Sequence, residues 1–402
     1  WRARIRGVAA ATGLAVLLAG CAANGPAASG AGGDTGMPRG ASIEEYRAAF
    51  ADVEPIELRA QVPAAQGTDS ALKFEDYFAA VTEWSGGKIT FDIAWSNAIA
   101  PPAEVDDALA DGRIDIALVT PLTEPARYRA NNALVSASFG GKQTLVVGQM
   151  QRLGWMTEVF YDTPEMTKEF TDLGVTPLLP MVLAGPEALI CREKLADHSE
   201  VQITAGGTSQ AAQISAFGGI PVSISYAELY ESLERGVVAC VTNNLMFANS
   251  IGIMPIAPHI QIGTDIGFGL TPATLAVGTD KWDSLPLVAK QLLFDRLEVY
   301  MERALELYWS GSQSAIKASR DAGGSLSEFS PQIRAGLMKA RDELMAGVAA
   351  TSDGVDGAAL AKRIDGSITK WLGIVEGLGY TDEYGYAEWV DWYSDGKIDL
   401  SM

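Results

Sequence analysis

The sequence predicts an α/β protein of two lobes, hinged as a clamp, with a long helix running along both lobes. Three observations carry that prediction. Residues 218–241, GGIPVSISYAELYESLERGVVACV, read as strand, helix, glycine, strand, and end in the polar Thr242-Asn243-Asn244. An earlier stretch has the same order: residues 88–95 read as a strand, 104–111 as a helix, Gly112 as its stop, 114–119 as a second strand, and Thr120-Pro121-Leu122-Thr123 as a polar tip. A length of 402 residues exceeds one ordinary domain and suits two.

In the second stretch, Ser225 with Glu228 three residues on predicts a capping box. Tyr226, Leu229, Tyr230 and Leu233 give an apolar stripe at helical spacing. Gly236 supplies the positive φ at which helices end, and residues 237–241 then read as a buried strand. One short connection on each side of each helix predicts parallel pairing. Ligands of open α/β sheets lie beyond the carboxyl ends of the strands. Two facing lobes therefore put Thr120 and Asn243 on opposite walls of one cleft. Thr242 and Asn244 share that tip. Trp95 ends the first lobe's strand and Phe247 follows the second tip; each could meet a ligand or pack in the core.

The body is expected over 43–402. Lobe I takes about 56–180 with part of 265–300; lobe II takes about 181–264 with the C-terminal helices. Residues 142–169 and 281–322 read as helical, the latter as the segment spanning both lobes. Residues 331–349 and 355–376 form a helical C-terminal extension, and the aromatic, acidic YTDEYGYAEWVDWYSDG reads as a last helix.

The start of the chain reads differently. Arg2, Arg4 and Arg6 precede a short apolar run over 7–19, which is the pattern of an export signal over 1–20. Leu18-Ala19-Gly20-Cys21 resembles the bacterial lipoprotein cleavage box, which implies lipid modification of Cys21. Residues 21–42, mostly Ala, Gly, Ser and Pro, read as a flexible tether to that anchor. An extracytoplasmic, membrane-anchored location follows as an expectation. Cys191 and Cys240 sit in the apolar runs LICR and VACV; outside the cytoplasm they could pair or stay as buried thiols, and the sequence leaves both open.

Several function classes are disfavoured. A formal net charge of −20 argues against a nucleic-acid partner, which needs clustered cations. The two histidines, His198 and His259, have no metal-like or triad-like companions nearby. Ser-x-x-Lys recurs at Ser85, Ser314 and Ser367 without partner motifs. Phosphate loops, nucleophile elbows and dinucleotide fingerprints are absent. No catalysis, cofactor or metal is expected.

Residues 70–310 resemble the extracytoplasmic solute receptors of TRAP transporters, the DctP family. TEWSGGKITFDIAW, ALADGRIDIALV, EMTKEFTDLGVTPL, AFGGIPVSISYAELYESLERGVV and DKWDSLP carry the resemblance by their order and spacing; the chain after Pro331 matches less. The resemblance implies a periplasmic-binding-protein-like clamp of class II type. It would capture a small organic solute, an organic acid in the usual case, and deliver it to a membrane permease. It also implies ligand contact for Asn243, at the end of the family's Asp-Gly-x-x-Asn strand, and for Tyr226, although Ala239-Cys240 replaces the Asp-Gly pair here.

One departure matters. The family carries an Arg in the strand that here reads VQITAGGTS; an ungapped count puts Ile203 at that place and a slip of one puts Gln202 there. A buried carboxylate without a cationic partner costs several kcal/mol. Either another cation reaches the cleft, for which Arg127 in TPLTEPARYR is the candidate, or the ligand is not a simple carboxylate. In the second case a sensor or scaffold for a neutral or apolar ligand becomes the alternative. The amides of residues 206–209 offer a further anion-binding element at a helix start, or are simply capped by Thr208.

Overall fold

The computed structural model describes residues 36–379, apart from Arg39, Met181, Leu183, Ala184, Tyr226, Ala227, Ser352 and Asp353. The expected export signal, Cys21, most of the tether, Tyr226 and the expected last helix lie outside the described residues. No helix among the described residues is long and apolar enough to cross a membrane.

Among the described residues, eleven strands build two sheets. The first lobe holds β1 (Ile56–Gln61), β2 (Ile89–Ala94), β3 (Ile116–Val119), β4 (Val175–Leu179) and β10 (Thr274–Gly278), in the order β2-β1-β3-β10-β4. The second holds β5 (Glu187–Cys191), β6 (Gln202–Thr204), β7 (Ile220–Val222), β8 (Cys240–Asn244), β9 (His259–Ile262) and β11 (Ser325–Glu328), in the order β11-β9-β5-β8-β6-β7. Each lobe thus contains the same unit, in which a central strand has a parallel neighbour on either side. The strands flanking each predicted helix are parallel in sense but do not touch, because β1 lies between β2 and β3, and β6 between β7 and β8. Stepping outward from a central strand in both directions places successive crossover helices on opposite faces, so both faces are covered. Each unit is completed by an antiparallel strand reached from the other half of the chain: β10 beside β3, β5 beside β8.

The second polar tip is part of its strand rather than beyond it. β8 starts at Cys240, not Val237, and runs through Asn244, because β5 pairs along it from Cys191↔Cys240 to Glu187↔Asn244. Cys191 and Cys240 are disulfide-bonded at that register. The expected capping box at Ser225 does not form: its hydroxyl donates to Glu228 Oε2 at 2.6 Å and the helix starts only at Leu229. A complete capping box instead opens Ile43–Ala49, between Ser42 and Glu45. Gly112 and Gly236, read as helix stops, do take positive φ, 78° and 74°.

Prolines divide the long helical stretches. Pro164 opens its own helix after Val147–Tyr161, and Pro286 separates Thr279–Ser284 from Leu287–Asp295. Leu297–Asp321 is the long helix that runs along both lobes, packing on Asp69–Trp84 of the first and Leu245–Ser250 of the second. Helix Pro331–Ala350 then packs on Thr208–Ala216 of lobe II and on Arg129–Ser136 of lobe I. The helix Gly357–Gly377, expected with lobe II, lies instead against Val147–Tyr161 and adds Leu360 and Ile364 to the lobe I core. Gly154 permits this docking: a Cβ there would overlap the ring of Trp371.

Candidate ligand-binding site

A cavity of about 750 Å³ separates the lobes. Its lobe I wall is the loop after β1 and the first turns of helix Asp69–Trp84, with Thr68, Lys73 and Phe74; its lobe II wall is Glu187, Asn243, Asn244 and Phe247. Tyr300 and Tyr308 of the long helix, with residues 271–273 of the crossing segment, form the back. A smaller chamber of about 230 Å³ opens within lobe II between Thr204–Gly206, Gln210, Ser223–Ser225 and Thr242. Glu187, Asn243 and Thr271 line both spaces, so the chambers meet there.

Lys73 is the feature that organises the larger chamber. Its Nζ lies 5.7 Å from the ring centroids of Phe74, Tyr300 and Tyr308. Ring faces attract a cation but replace water poorly. Among the described residues no carboxylate pairs with it and no acceptor bonds it. Burial accordingly lowers its pKa to about 8. Helical geometry places it there: Ala71, Phe74 and Phe78 face the core, and Lys73 lies at the rim of that face, where the long helix covers it.

Across the cavity, Glu187 opens β5 opposite Asn244. Its Oε2 is buried without a hydrogen-bond partner. Burial pushes its pKa up to about 8, with the Arg152 charge opposing. The Tyr300 hydroxyl is likewise buried and unbonded. Buried polar groups in folded proteins are nearly always satisfied. Unmatched polar groups of opposite character, facing one space from two lobes, are what a ligand would satisfy.

The supporting frame is well bonded by contrast. Thr242 Oγ1 lies 2.7 Å from the Thr204 carbonyl and 3.0 Å from Gln210 Oε1. Gln210 Oε1 also accepts from the Gly206 amide at 2.7 Å, while its Nε2 donates to the Gly269 carbonyl. Gln213 bonds both Gly267 and Gly269, and Ser138 of lobe I accepts from the Leu270 amide. The segment that returns from lobe II to β10 is thus gripped from both sides.

Solved structures of similar fold cover about four fifths of the chain. A TRAP solute-binding protein from a marine metagenome (unidentified microbe), described as specific for aromatic acids and solved with 3-hydroxybenzoate, superposes with a TM-score of 0.66 at 18% identity, over 79% of this chain and 99% of that one. One from Rhodobacter sphaeroides, open and without ligand, gives 0.60 at 17%, over 80% and 99%. One from Roseobacter denitrificans with bound β-D-glucuronate gives 0.59 at 14%, over 77% and 99%. A search of curated proteins finds no match. The family model of the bacterial extracellular solute-binding proteins, family 7 (DctP), matches residues 194–351.

Residues 194–351 thus match the DctP family by sequence, and both lobes share the fold of the TRAP solute-binding proteins. The chain's relatives are binding proteins rather than enzymes. The family match extends past Pro331, where the sequence alone resembled the family less, so helix Pro331–Ala350 belongs to the shared body.

In this two-lobed fold the predicted residues divide. Asn243, Asn244 and Phe247 line the interlobe cavity, and Thr242 lines the inner chamber. Asn243 is 5% exposed, and among the described residues nothing bonds its side-chain amide. Asn244 also caps the next helix, accepting from the Phe247 amide at 2.9 Å. Thr120 stands outside the cavity; its carbonyl closes a short turn with Thr123, and the lobe I strand reaches the cavity through Leu118. The first tip meets a different part of lobe II: Leu122 lies 3.9 Å from where a Cβ on Gly207 would stand.

Trp95, Gln202 and Arg127 are corrected. Trp95 follows the edge strand β2 and packs against the lobe I core. Gln202 is exposed at the start of β6, whose other end, Thr204, reaches the chamber; Ile203 between them is wholly buried. Arg127 is held within lobe I by Asp106 at 3.1 Å, Asp107 at 3.0 Å and Glu124 at 2.6 Å. A guanidinium with three carboxylates has no charge to spare for a solute. Thr208 makes no side-chain cap; Gly207 occupies the cap position. Lys73, Glu187, Gln210, Tyr300 and Tyr308 escaped sequence reading.

Proposed function

We propose that this extracytoplasmic receptor captures a small organic acid between its lobes, with the ligand carboxylate on the Lys73 ammonium, and hands it to a TRAP-type permease. The cation absent from β6 is supplied from the opposite lobe. An unpaired ammonium inside the interlobe cavity is the observation that carries the reading. A carboxylate arriving there gains a charge-assisted bond and relieves a desolvated cation. The relatives solved with 3-hydroxybenzoate and β-D-glucuronate hold carboxylates of a size this cavity accommodates, which supports the class. Asn243 and Asn244 would bond polar groups of the same solute, and the family resemblance adds Tyr226 as a further ligand contact.

The test is titration of the purified protein with a panel of organic acids. A true ligand at a hundred times its Kd should add about 2.7 kcal/mol to stability. Lys73→Met should cost about 2–5 kcal/mol of binding, as truncating one side of a buried charge pair does. Arg127→Ala should leave affinity unchanged. Undiminished affinity in Lys73→Met would sink the assignment and favour a neutral or apolar solute.

We further propose anchoring through a lipid on Cys21. Mass spectrometry of the mature chain should find an acylated Cys21 at its start, and Cys21→Ser should free the protein from membranes; a chain that begins elsewhere and is soluble would end that idea.

A further inference from the structure

Among the three residues where the two chambers join, Glu187 is used neither by the family pattern nor by the proposed carboxylate site. Glu187 lines both, comes from the lobe opposite Lys73, and has a buried oxygen that nothing bonds. No ion pair joins Glu187 to Lys73 among the described residues. The two groups face one space without meeting. A molecule that spans them needs a carboxylate at one end; the other end must suit a carboxyl group in a dry setting.

We infer that Glu187 is a specificity-determining residue: it meets a hydrogen-bond-donating group, hydroxyl or ammonium, at the end of the solute away from its carboxylate. This rests on the placement of the carboxylate at Lys73. A hydroxyl can donate to the carboxyl in either protonation state and can accept from its acid form. An ammonium pairs with the ionised form, releasing the proton that burial otherwise holds there. A methyl end leaves Glu187 desolvated and unbonded, and a second carboxylate meets it as a like charge or as a lone acceptor for one proton. The inner chamber suits the donor, since Thr204 and Ser223 line it and Asn243 stands with Glu187 at the junction. The receptor therefore selects hydroxy- or amino-substituted carboxylates over plain acids and over diacids of the same length.

The experiment uses the full-length protein and two sets of four acids, on butyrate and on benzoate frames. Within each set the group far from the carboxylate is hydroxyl, ammonium, methyl or a second carboxylate. In the wild type the hydroxyl or the ammonium member of at least one set should bind roughly ten- to hundredfold tighter than the methyl member, the cost of leaving a buried polar group unmet. Glu187→Leu should collapse that ratio. Glu187→Gln should keep a preference for hydroxyl and lose any for ammonium, which also distinguishes the two kinds of donor. Lys73→Met should weaken every member alike. A wild-type preference for the methyl or dicarboxylate member, or a donor preference that survives Glu187→Leu, overturns this inference and leaves the Lys73 site standing. Equal binding by Lys73→Met overturns the carboxylate site instead, and no binding by any member to the wild type overturns both. Near-ultraviolet spectra and melting curves of each variant confirm that the fold is retained.

Discussion

Lys73 and Glu187 are ionisable groups that the fold moves toward neutrality from opposite directions, and that makes their effect visible in pH. Burial raises the Glu187 pKa from an ordinary 4.5 to about 8, against the Arg152 charge. Between those values the folded chain keeps a proton that the unfolded chain has released, so this contribution to stability declines as pH rises through the window. Lys73 falls from 10.5 to about 8 through burial. Between those values the unfolded chain holds the extra proton, so stability recovers as pH climbs. The empty receptor should be penalised most by this pair near pH 8. Melting temperatures across pH should show it: Glu187→Gln flattens the acid limb and Lys73→Met the alkaline one. Unchanged limbs in both variants would mean the pair is solvated. Binding of an anionic solute should weaken as pH passes about 8, where the free ammonium loses its proton.

At the scale of elements, the docking of helix Gly357–Gly377 depends on one missing side chain. Gly154→Val should drive the Trp371 ring out of its seat and cost about 1–3 kcal/mol, read as a lower Tm. Trp371→Ala should make the second substitution nearly neutral, since the clash has no partner left; an additive double variant would argue against the contact. Elements were legible where their signals are local. Helix, glycine and strand could be read around Gly112 and Gly236 because the period, the stop and the apolar run all lie within a few residues. The strand order was not, since β1 and β6 insert between the predicted partners and only tertiary pairing decides that. β8 was placed early because Thr242 and Asn243 look like turn residues until β5 is set beside them. Lys73 was hidden for the same reason. A lysine in a helix reads as solvated, and it is the rings of Tyr300 and Tyr308, far along the chain, that dry it. Arg127 misled in the opposite sense, because the carboxylates that satisfy it, Asp106 and Asp107, belong to the preceding helix.

For the whole molecule, capture should show as compaction. With Lys73 on one lobe and Glu187 on the other, a solute meeting both holds the halves together. The radius of gyration from small-angle scattering should fall on addition of a ligand identified by titration, and Lys73→Met should fail to contract at the same concentration. A ligand that binds without any change in dimensions would mean the cleft is already shut. One further feature bears on how far such motion goes. Helix Pro331–Ala350 rests on Thr208–Ala216 and on Arg129–Ser136, one from each half, with Phe217 seated against Gly336. Parting the halves must slide or unzip that brace as well as flex the crossing strands. The swing is thereby capped and the exit kept narrow.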